Sequence, residues 1–508
     1  MEDSQRSGVR IPPGPSIIIL ESELNLLNFT YLLLLLIVVN LTGDSMKLYR
    51  LPKDKLKSAI SSGNVTIAVY GLGKLGLPLA VTYANFGFNV IGVDINEKIV
   101  DTINSGKSYL VNEPGVDEGV RKNVSAGRLK ATTNGVNAAK EADVMVSIVP
   151  TLIDDTNRPD LTYMMNSVET IAKGLTKGDI VLIESTLPPG TTEGPIREML
   201  EKVSGLKAGV DFGLAYSPER TSSGQVIADI VDHYPKIIGG LDEHSTRAIA
   251  AIYSKIAKKG VIVVRDIRTA EAVKVFEGVY RDVNIALANE LALLTEKLGV
   301  DIIEAINAAN SQPYSHIHIP GAGVGGHCIP LYPYFLLDVA NKQNVPLRIT
   351  SIARQLNEYM PYHMVELIAD ALNECEKPIK NSKIGILGLT FRGDVKATYH
   401  TPAAPLIKIL QEKGAKITAH DPLLSPDEIK SEFGIDSAKS FDELFRDADC
   451  IVVVTAHSLY KNTDFKKYFK LMRRPAAVVD GRHIFNPDKM DSEGIVFRGV
   501  GRVFKNNK

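Results

Sequence analysis

Apolar and polar positions fall into a repeating order from Met46 onward. Short β-branched runs, Val65–Tyr70 (VTIAVY), Asn89–Val93 (NVIGV), Asp143–Val149 (DVMVSIV) and Asp179–Ile183 (DIVLI), read as buried strands. The stretch between the first two, Leu77 to Phe86, has helical periodicity. After residue 380 the order recurs: Lys383–Leu389 (KIGILGL), Ile417–Asp421 (ITAHD) and 447–455 (DADCIVVVT), the last paralleling 142–149. Strands alternating with helices predict an α/β protein with two parallel sheets. Between the halves, Thr269–Leu298 reads as one long helix, with Thr269 as its cap, Glu271 in its first turn and Gly299 just past its end. It is apolar on more than one face, which predicts burial and a surface for self-association. Gly278 inside it costs about 1 kcal/mol against alanine, so close packing or a closely approaching ligand is expected there.

Residues 1–45 differ in character. The apolar run Tyr31–Leu41 is shorter than the roughly 20 residues a bilayer core requires, and Glu21 and Glu23 block its extension. A signal peptide would need a better cleavage site than Leu41-Thr42-Gly43-Asp44. SGVRIPPGP (7–15) resembles translated non-coding sequence, which makes Met46 the expected start. The segment is read as a non-native or disordered extension, with an anchor or a signal as the other readings.

Composition narrows the function. Hydrophobic residues are 44% and charged residues 23% of 508, as in globular proteins. Lys plus Arg (58) balance Asp plus Glu (59), so no basic field exists to hold a nucleic-acid backbone. Three cysteines cannot staple a chain of this length, which points to a reducing, cytoplasmic setting. The ten histidines form no H-E-x-x-H pattern, and His316 and His318 read as loop packing, so no metal is expected.

Chemistry begins at the first strand, which ends directly at Gly71-Leu72-Gly73-Lys74-Leu75-Gly76. GxGxxG between strand and helix, with Asp94 18 positions after the third glycine, has the context of a dinucleotide fingerprint. Gly71 permits the tight turn, Gly73 lets pyrophosphate approach the backbone, and Gly76 seats the helix on the strand. Asp94 suits a ribose 2′-hydroxyl and repels a 2′-phosphate, which predicts NAD; Leu72 and Lys98 complete that set. Thr151 and Thr186, beyond the carboxyl ends of later strands, point at the cofactor crevice. The second unit lacks a complete fingerprint, so a nucleotide is its expected ligand. The chain thus divides into an NAD-binding Rossmann domain (46–258), a central helical domain carrying a glycine-rich loop (259–375) and a second Rossmann-like domain (376–508).

That loop, GAGVGGHCIP at 321–330, places Cys328 beside His327 between glycines and Ile329-Pro330. An exposed thiolate there is a candidate nucleophile, whereas Cys450, in an apolar strand, and Cys375, late in a helix, read as structural. Together with AVKVFEGVYRDVNIALANELA, YSPER and GLGKLG, this loop resembles the UDP-glucose/GDP-mannose dehydrogenase family from about Val65 to near Arg502. YRDVNIALANELA and GVGGHCIP are most similar to its UDP-N-acetylmannosamine dehydrogenases.

The resemblance implies a four-electron oxidation of a UDP-sugar CH2OH to carboxylate with two NAD. Cys328 would trap the aldehyde as a thiohemiacetal and carry the thioester that water hydrolyses. It assigns oxyanion stabilisation to Lys274, thioester hydrolysis to Glu219, and positioning of water or nicotinamide to Thr151. Arg220, Arg281 and Arg392 become candidates for the charged groups of the sugar nucleotide, and Gly325 with Glu219 and Lys274 joins the substrate set. A homodimer or higher homo-oligomer and a domain that binds UDP are also implied.

The sequence departs from the family pattern at Gly278 (commonly asparagine), Tyr332 (commonly aspartate), Tyr399 (in place of an arginine before Ser-Pro) and Arg392 (commonly lysine). These changes suggest a divergent substrate choice. UDP-glucose or UDP-N-acetylglucosamine is the alternative sugar, and an inactive nucleotide-sugar sensor the alternative of another class.

Overall fold

The computed structural model describes residues 47–110 and 113–502; the readings made for residues 1–45 lie outside them. Two sheets carry the fold. The first contains β1 (Thr66–Tyr70), β2 (Asn89–Val93), β3 (Leu129–Thr132), β4 (Val144–Ser147), β7 (Ile180–Ile183), β8 (Gly213–Tyr216), β9 (Lys236–Gly240) and β10 (Val261–Val263), while β5 (Leu152–Ile153) and β6 (Pro159–Asp160) form a separate hairpin. Its spatial order is β10-β9-β8-β7-β4-β1-β2-β3. From β3 to β8 every neighbouring pair is parallel, giving the doubly wound order; β9 departs from the expected all-parallel arrangement by pairing antiparallel to β8.

The second sheet, β11 (Lys383–Leu387), β12 (Lys416–His420), β13 (Asp436–Ser437), β14 (Cys450–Val453), β15 (Ala476–Asp480) and β16 (Ile495–Gly499), is parallel throughout, in the order β13-β12-β11-β14-β15-β16. The internal repetition extends to single hydrogen bonds. Asp143 accepts the amide of Thr66 at 2.9 Å, and Asp449 accepts that of Lys383 at 2.8 Å, each tying the start of one central strand to the next.

Between the sheets runs α2 (Ile267–Leu298, 32 residues), about 48 Å long at 1.5 Å per residue; α1 (Gly76–Asn85) precedes it in the first domain. Asp266, rather than Thr269, caps α2. Its carboxylate accepts the Thr269 amide at 2.8 Å, because the helix already begins at the fully buried Ile267. Gly299 closes the helix at φ 71°, as expected. Glu271 faces inward, where its carboxylate accepts the amides of Gly190 (2.5 Å) and Thr192 (2.8 Å). Burial raises its pKa to about 7.

Among the helices that follow are α3 (Tyr332–Lys342) and α4 (Arg348–Glu374). α4 packs along α2 through a buried polar cluster: Arg354 meets Asp282 at 2.6 Å, and Asn357 donates to Asp282 (2.8 Å) and accepts from Asn289 (2.9 Å). The solvent side of α2 exposes Phe276, Tyr280, Leu287, Leu294 and Leu298, spaced to share one face. Among the described residues no helix is long and apolar enough to cross a membrane.

Candidate functional site

The cofactor end is built by the turn from β1 into α1. Gly71 adopts φ +91°, and a Cβ on Gly76 would lie 1.8 Å from the Gly71 carbonyl oxygen, so only glycine permits this approach. Nothing lies within 4 Å of a Cβ built on Gly73, the open side of the turn on which a pyrophosphate would rest. Asp94 accepts the amides of Leu72 and Asn96, both at 2.9 Å, so its carboxylate is locked beside the glycine turn. These residues fit a dinucleotide. Lys98 is exposed in the first turn of the next helix, where its amide donates to the capping Asn96 side chain at 3.0 Å.

The second unit repeats the device and spends it differently. Asp421 accepts the amides of Leu389 (2.8 Å) and Thr390 (3.2 Å), as Asp94 accepts Leu72, but it is buried and engages His457 at 3.1 Å. A carboxylate so occupied is not available to a ribose, consistent with the incomplete fingerprint there.

The reaction end lies where α2, the 321–330 loop and the ends of β7 and β8 meet. Cys328 is half-buried, whereas Cys375 and Cys450 are fully buried, as expected of structural thiols. It packs against Val275, Leu331, Tyr332 and Phe335. Lys274 is buried on α2. Desolvation lowers its pKa, opposed in part by the facing Cys328 and Glu219. The structure thus brings Lys274, Cys328 and Glu219 to one locus. Thr151 Oγ1 donates to the Thr186 carbonyl at 2.7 Å, and Thr186 Oγ1 donates to the Tyr332 phenol at 3.0 Å. Burial, and after it the nearby Cys328 sulfur, holds the Tyr332 phenol well above its usual range.

Glu219 is buried: Oε1 accepts the amides of Arg220 (2.6 Å) and Thr221 (2.8 Å), and Oε2 the Lys236 ammonium at 2.9 Å. Burial pushes this carboxyl up, but Lys236 outweighs it and the net pKa is lowered. Lys236 also meets Glu184 at 3.0 Å, whose other oxygen accepts the Tyr253 hydroxyl, itself 2.6 Å from that of Tyr83. Sequence reasoning missed Lys236. Its signal was a cation at the mouth of an apolar strand, KIIGG, which requires buried anions as partners.

The arginines separate. Arg220 is paired with Glu277 at 2.7 Å, its Nε buried without a partner; Arg281 and Arg392 are exposed. Gly325 lies against the second domain, where a Cβ would meet the His400 carbonyl oxygen and Phe391 Cβ, each at 2.7 Å. Gly326 donates its amide to the Tyr399 carbonyl at 2.8 Å, and the Tyr399 ring sits on His327 with centroids 3.6 Å apart. The cysteine loop is therefore braced by the 391–400 segment, which holds two of the departures from the family pattern.

Residues 65–257, 268–359 and 385–487 match, in turn, the NAD binding, central and UDP binding domains of the UDP-glucose/GDP-mannose dehydrogenase family. The chain belongs to this family. It is an NAD-dependent nucleotide-sugar 6-dehydrogenase, an oxidoreductase. It is 37% identical over 436 residues to the UDP-N-acetyl-D-mannosamine dehydrogenase of Pyrococcus horikoshii, covering 86% of this chain and 99% of the relative. The solved structure of the UDP-D-ManNAc dehydrogenase from that organism superposes with a TM-score of 0.79 at 36% identity, again over 86% and 99% of the two chains. The NDP-N-acetyl-D-galactosaminuronic acid dehydrogenase of Methanosarcina mazei Go1 superposes with a TM-score of 0.78 at 31% identity, over 88% and 98%. Within this dehydrogenase family the glycine turn and Asp94 fall in the matched NAD binding domain, Lys274 and Cys328 in the central domain and Arg392 in the UDP binding domain.

Proposed function

We propose that this dehydrogenase oxidises the C6 hydroxymethyl of UDP-N-acetyl-D-mannosamine to the carboxylate, with Cys328 as covalent carrier. The observation that supports it best is the convergence of Cys328, Lys274 and Glu219 on one locus beside the Thr151–Thr186 pair. The relatives' names favour the mannosamine sugar. The overall change is R–CH2OH + 2 NAD+ + H2O → R–COO− + 2 NADH + 3 H+. NAD, when bound, takes two electrons in each of the two oxidations, and Gly71, Leu72, Gly73, Gly76 and Asp94 would hold it.

The chain's own residues carry the rest. The Cys328 sulfur bonds to the C6 aldehyde carbon, and the aldehyde oxygen becomes the hydroxyl of a thiohemiacetal. After the second oxidation the same sulfur holds a thioester; water adds at carbon, the C–S bond breaks and the thiol is restored. Lys274, buried beside the thiol on α2, stabilises the oxygen that gains charge in each step. Glu219 stays ionised under Lys236, which suits it to orient the attacking water as an acceptor. Arg220, Arg281 and Arg392 serve the sugar nucleotide, with Arg220 exchanging Glu277 for substrate, and Lys98, with Thr151 and Thr186, joins the cofactor set.

The domain division at 46–258, 259–375 and 376–508, a cytoplasmic setting and a homodimer formed through the exposed face of α2 complete the reading. Turnover of UDP-N-acetylmannosamine, UDP-N-acetylglucosamine and UDP-glucose by wild type and Cys328→Ser tests it. The mannosamine sugar is expected to give the highest kcat/KM and the serine variant to stall. Preference for another sugar, or full turnover without the thiol, would overturn it.

A further inference from the structure

The repetition between the two sheets extends beyond the strands. Ile67 pairs with Val144 and Ile384 with Cys450, each just after the carboxylate that ties the two strands together, Asp143 or Asp449. His457 stands as far beyond Asp449 as Thr151 stands beyond Asp143, so it is the second domain's counterpart of Thr151. Both residues follow the strand at which the strand order reverses, where an open parallel sheet receives its ligand. Thr151 turns to the Thr186 carbonyl. The fully buried His457 ring instead crosses the crevice and reaches Asp421, the counterpart of Asp94, at 3.1 Å.

The partners of the ring fix which nitrogen does what. The Asp394 backbone amide lies 3.0 Å from Nδ1 and can only donate, so Nδ1 presents its lone pair. Nε2 therefore carries the N–H, and it faces Asp421 Oδ2 and Thr390 Oγ1, both at 3.1 Å. Thr390 Oγ1 in turn donates to the Arg392 carbonyl at 3.1 Å. Asp394 stands at φ 61°, a conformation that needs outside support, and its carboxylate accepts the Ser458 amide at 3.0 Å. The fit is close: a Cβ on Gly393 would come within 2.2 Å of the Ala456 carbonyl oxygen. Both ends of the 390–394 segment thus hang on one imidazole, with the exposed Arg392 between them.

We propose that His457 is a positioning residue that fills the second domain's dinucleotide crevice and holds the 390–394 segment so that Arg392 meets the diphosphate of the sugar nucleotide. The proposal rests on the reading of Arg392 as a ligand of that diphosphate. With the crevice occupied, the nucleotide is received on the outer side of the segment. Phe391 stands on that segment against the cysteine loop, 2.7 Å from a Cβ built on Gly325, so the held segment adjoins the reaction site.

The test compares wild type, His457→Asn, His457→Gln and Arg392→Ala in the full chain, with UDP and NAD binding read by calorimetric titration and stability by urea midpoint. The asparagine side chain keeps an acceptor where Nδ1 stood and loses the donor to Asp421; the longer glutamine keeps that donor and loses the acceptor for Asp394. His457→Asn is expected to lower the urea midpoint and bind UDP within about twofold of wild type. His457→Gln should bind UDP roughly tenfold more weakly, as should Arg392→Ala, with NAD binding unchanged in all three. Wild-type UDP affinity in His457→Gln, or losses in both histidine variants that simply follow their urea midpoints, would overturn the proposal while a weakened Arg392→Ala leaves the arginine reading standing. Wild-type UDP affinity in Arg392→Ala would remove that reading, and the proposal with it.

Discussion

The ammonium of Lys236 lies 2.9 Å from Oε2 of Glu219, both groups buried beneath the reaction site. It lies 3.0 Å from Glu184 as well, so one cation serves two buried carboxylates. Burial alone would neutralise Lys236, but the two anions raise its pKa. Lys236→Met is therefore expected to strand two carboxylates and destabilise the fold by about 3–5 kcal/mol. A lowered urea midpoint in equilibrium denaturation checks it; an unchanged midpoint would show that Tyr253 and the backbone amides suffice.

Glu271 predicts a pH dependence. Its folded pKa, raised by burial from 4.5 to about 7, means that the native state binds this proton more tightly than the unfolded chain. The contribution is full below about pH 4.5 and is lost as pH rises through about 7, on the order of 3 kcal/mol in all. Glu271→Gln should flatten that part of the stability profile, read as thermal midpoints between pH 5 and pH 8. Parallel profiles for the two proteins would contradict the assignment.

The fingerprint glycines should fail in different ways. Gly76→Ala drives a Cβ into the Gly71 carbonyl at 1.8 Å and is expected to disrupt the first domain, lowering stability by more than about 2 kcal/mol. Gly73→Ala meets no atom within 4 Å, so the variant should melt like wild type while binding NAD at least about tenfold more weakly. Calorimetric melting and NAD titration separate the two.

The face of α2 bearing Phe276, Tyr280, Leu287, Leu294 and Leu298 predicts self-association. Leu287→Glu with Leu294→Glu should halve the mass seen by sedimentation equilibrium without unfolding the chain, since both side chains are already exposed, at 46% and 54%. An unchanged mass would place the interface elsewhere.

Much of this architecture was legible because its signals are local. GLGKLG followed by Asp94 carries its geometry within one strand–turn–helix, and GAGVGGHCIP singles out Cys328 by its neighbours alone. What escaped depends on distance. Asp266 and Thr269 are both cap formers, and only the burial of Ile267 decides between them. The antiparallel pairing of β9 with β8 depends on the path taken between them, which no run of apolar residues encodes. Lys236 reaches Glu219 and Glu184 across 17 and 52 positions. Gly278 and Tyr332 read as two separate losses of polar groups, and become one feature only when the ring is seen to fill the space beside the glycine.

The central claim is a four-electron oxidation carried through Cys328, and the stoichiometry of NADH formed per UDP-N-acetylmannosamine consumed tests it most directly. Two NADH per sugar, with no free aldehyde released, is the predicted result. One NADH per sugar with aldehyde accumulating, or none, would contradict it.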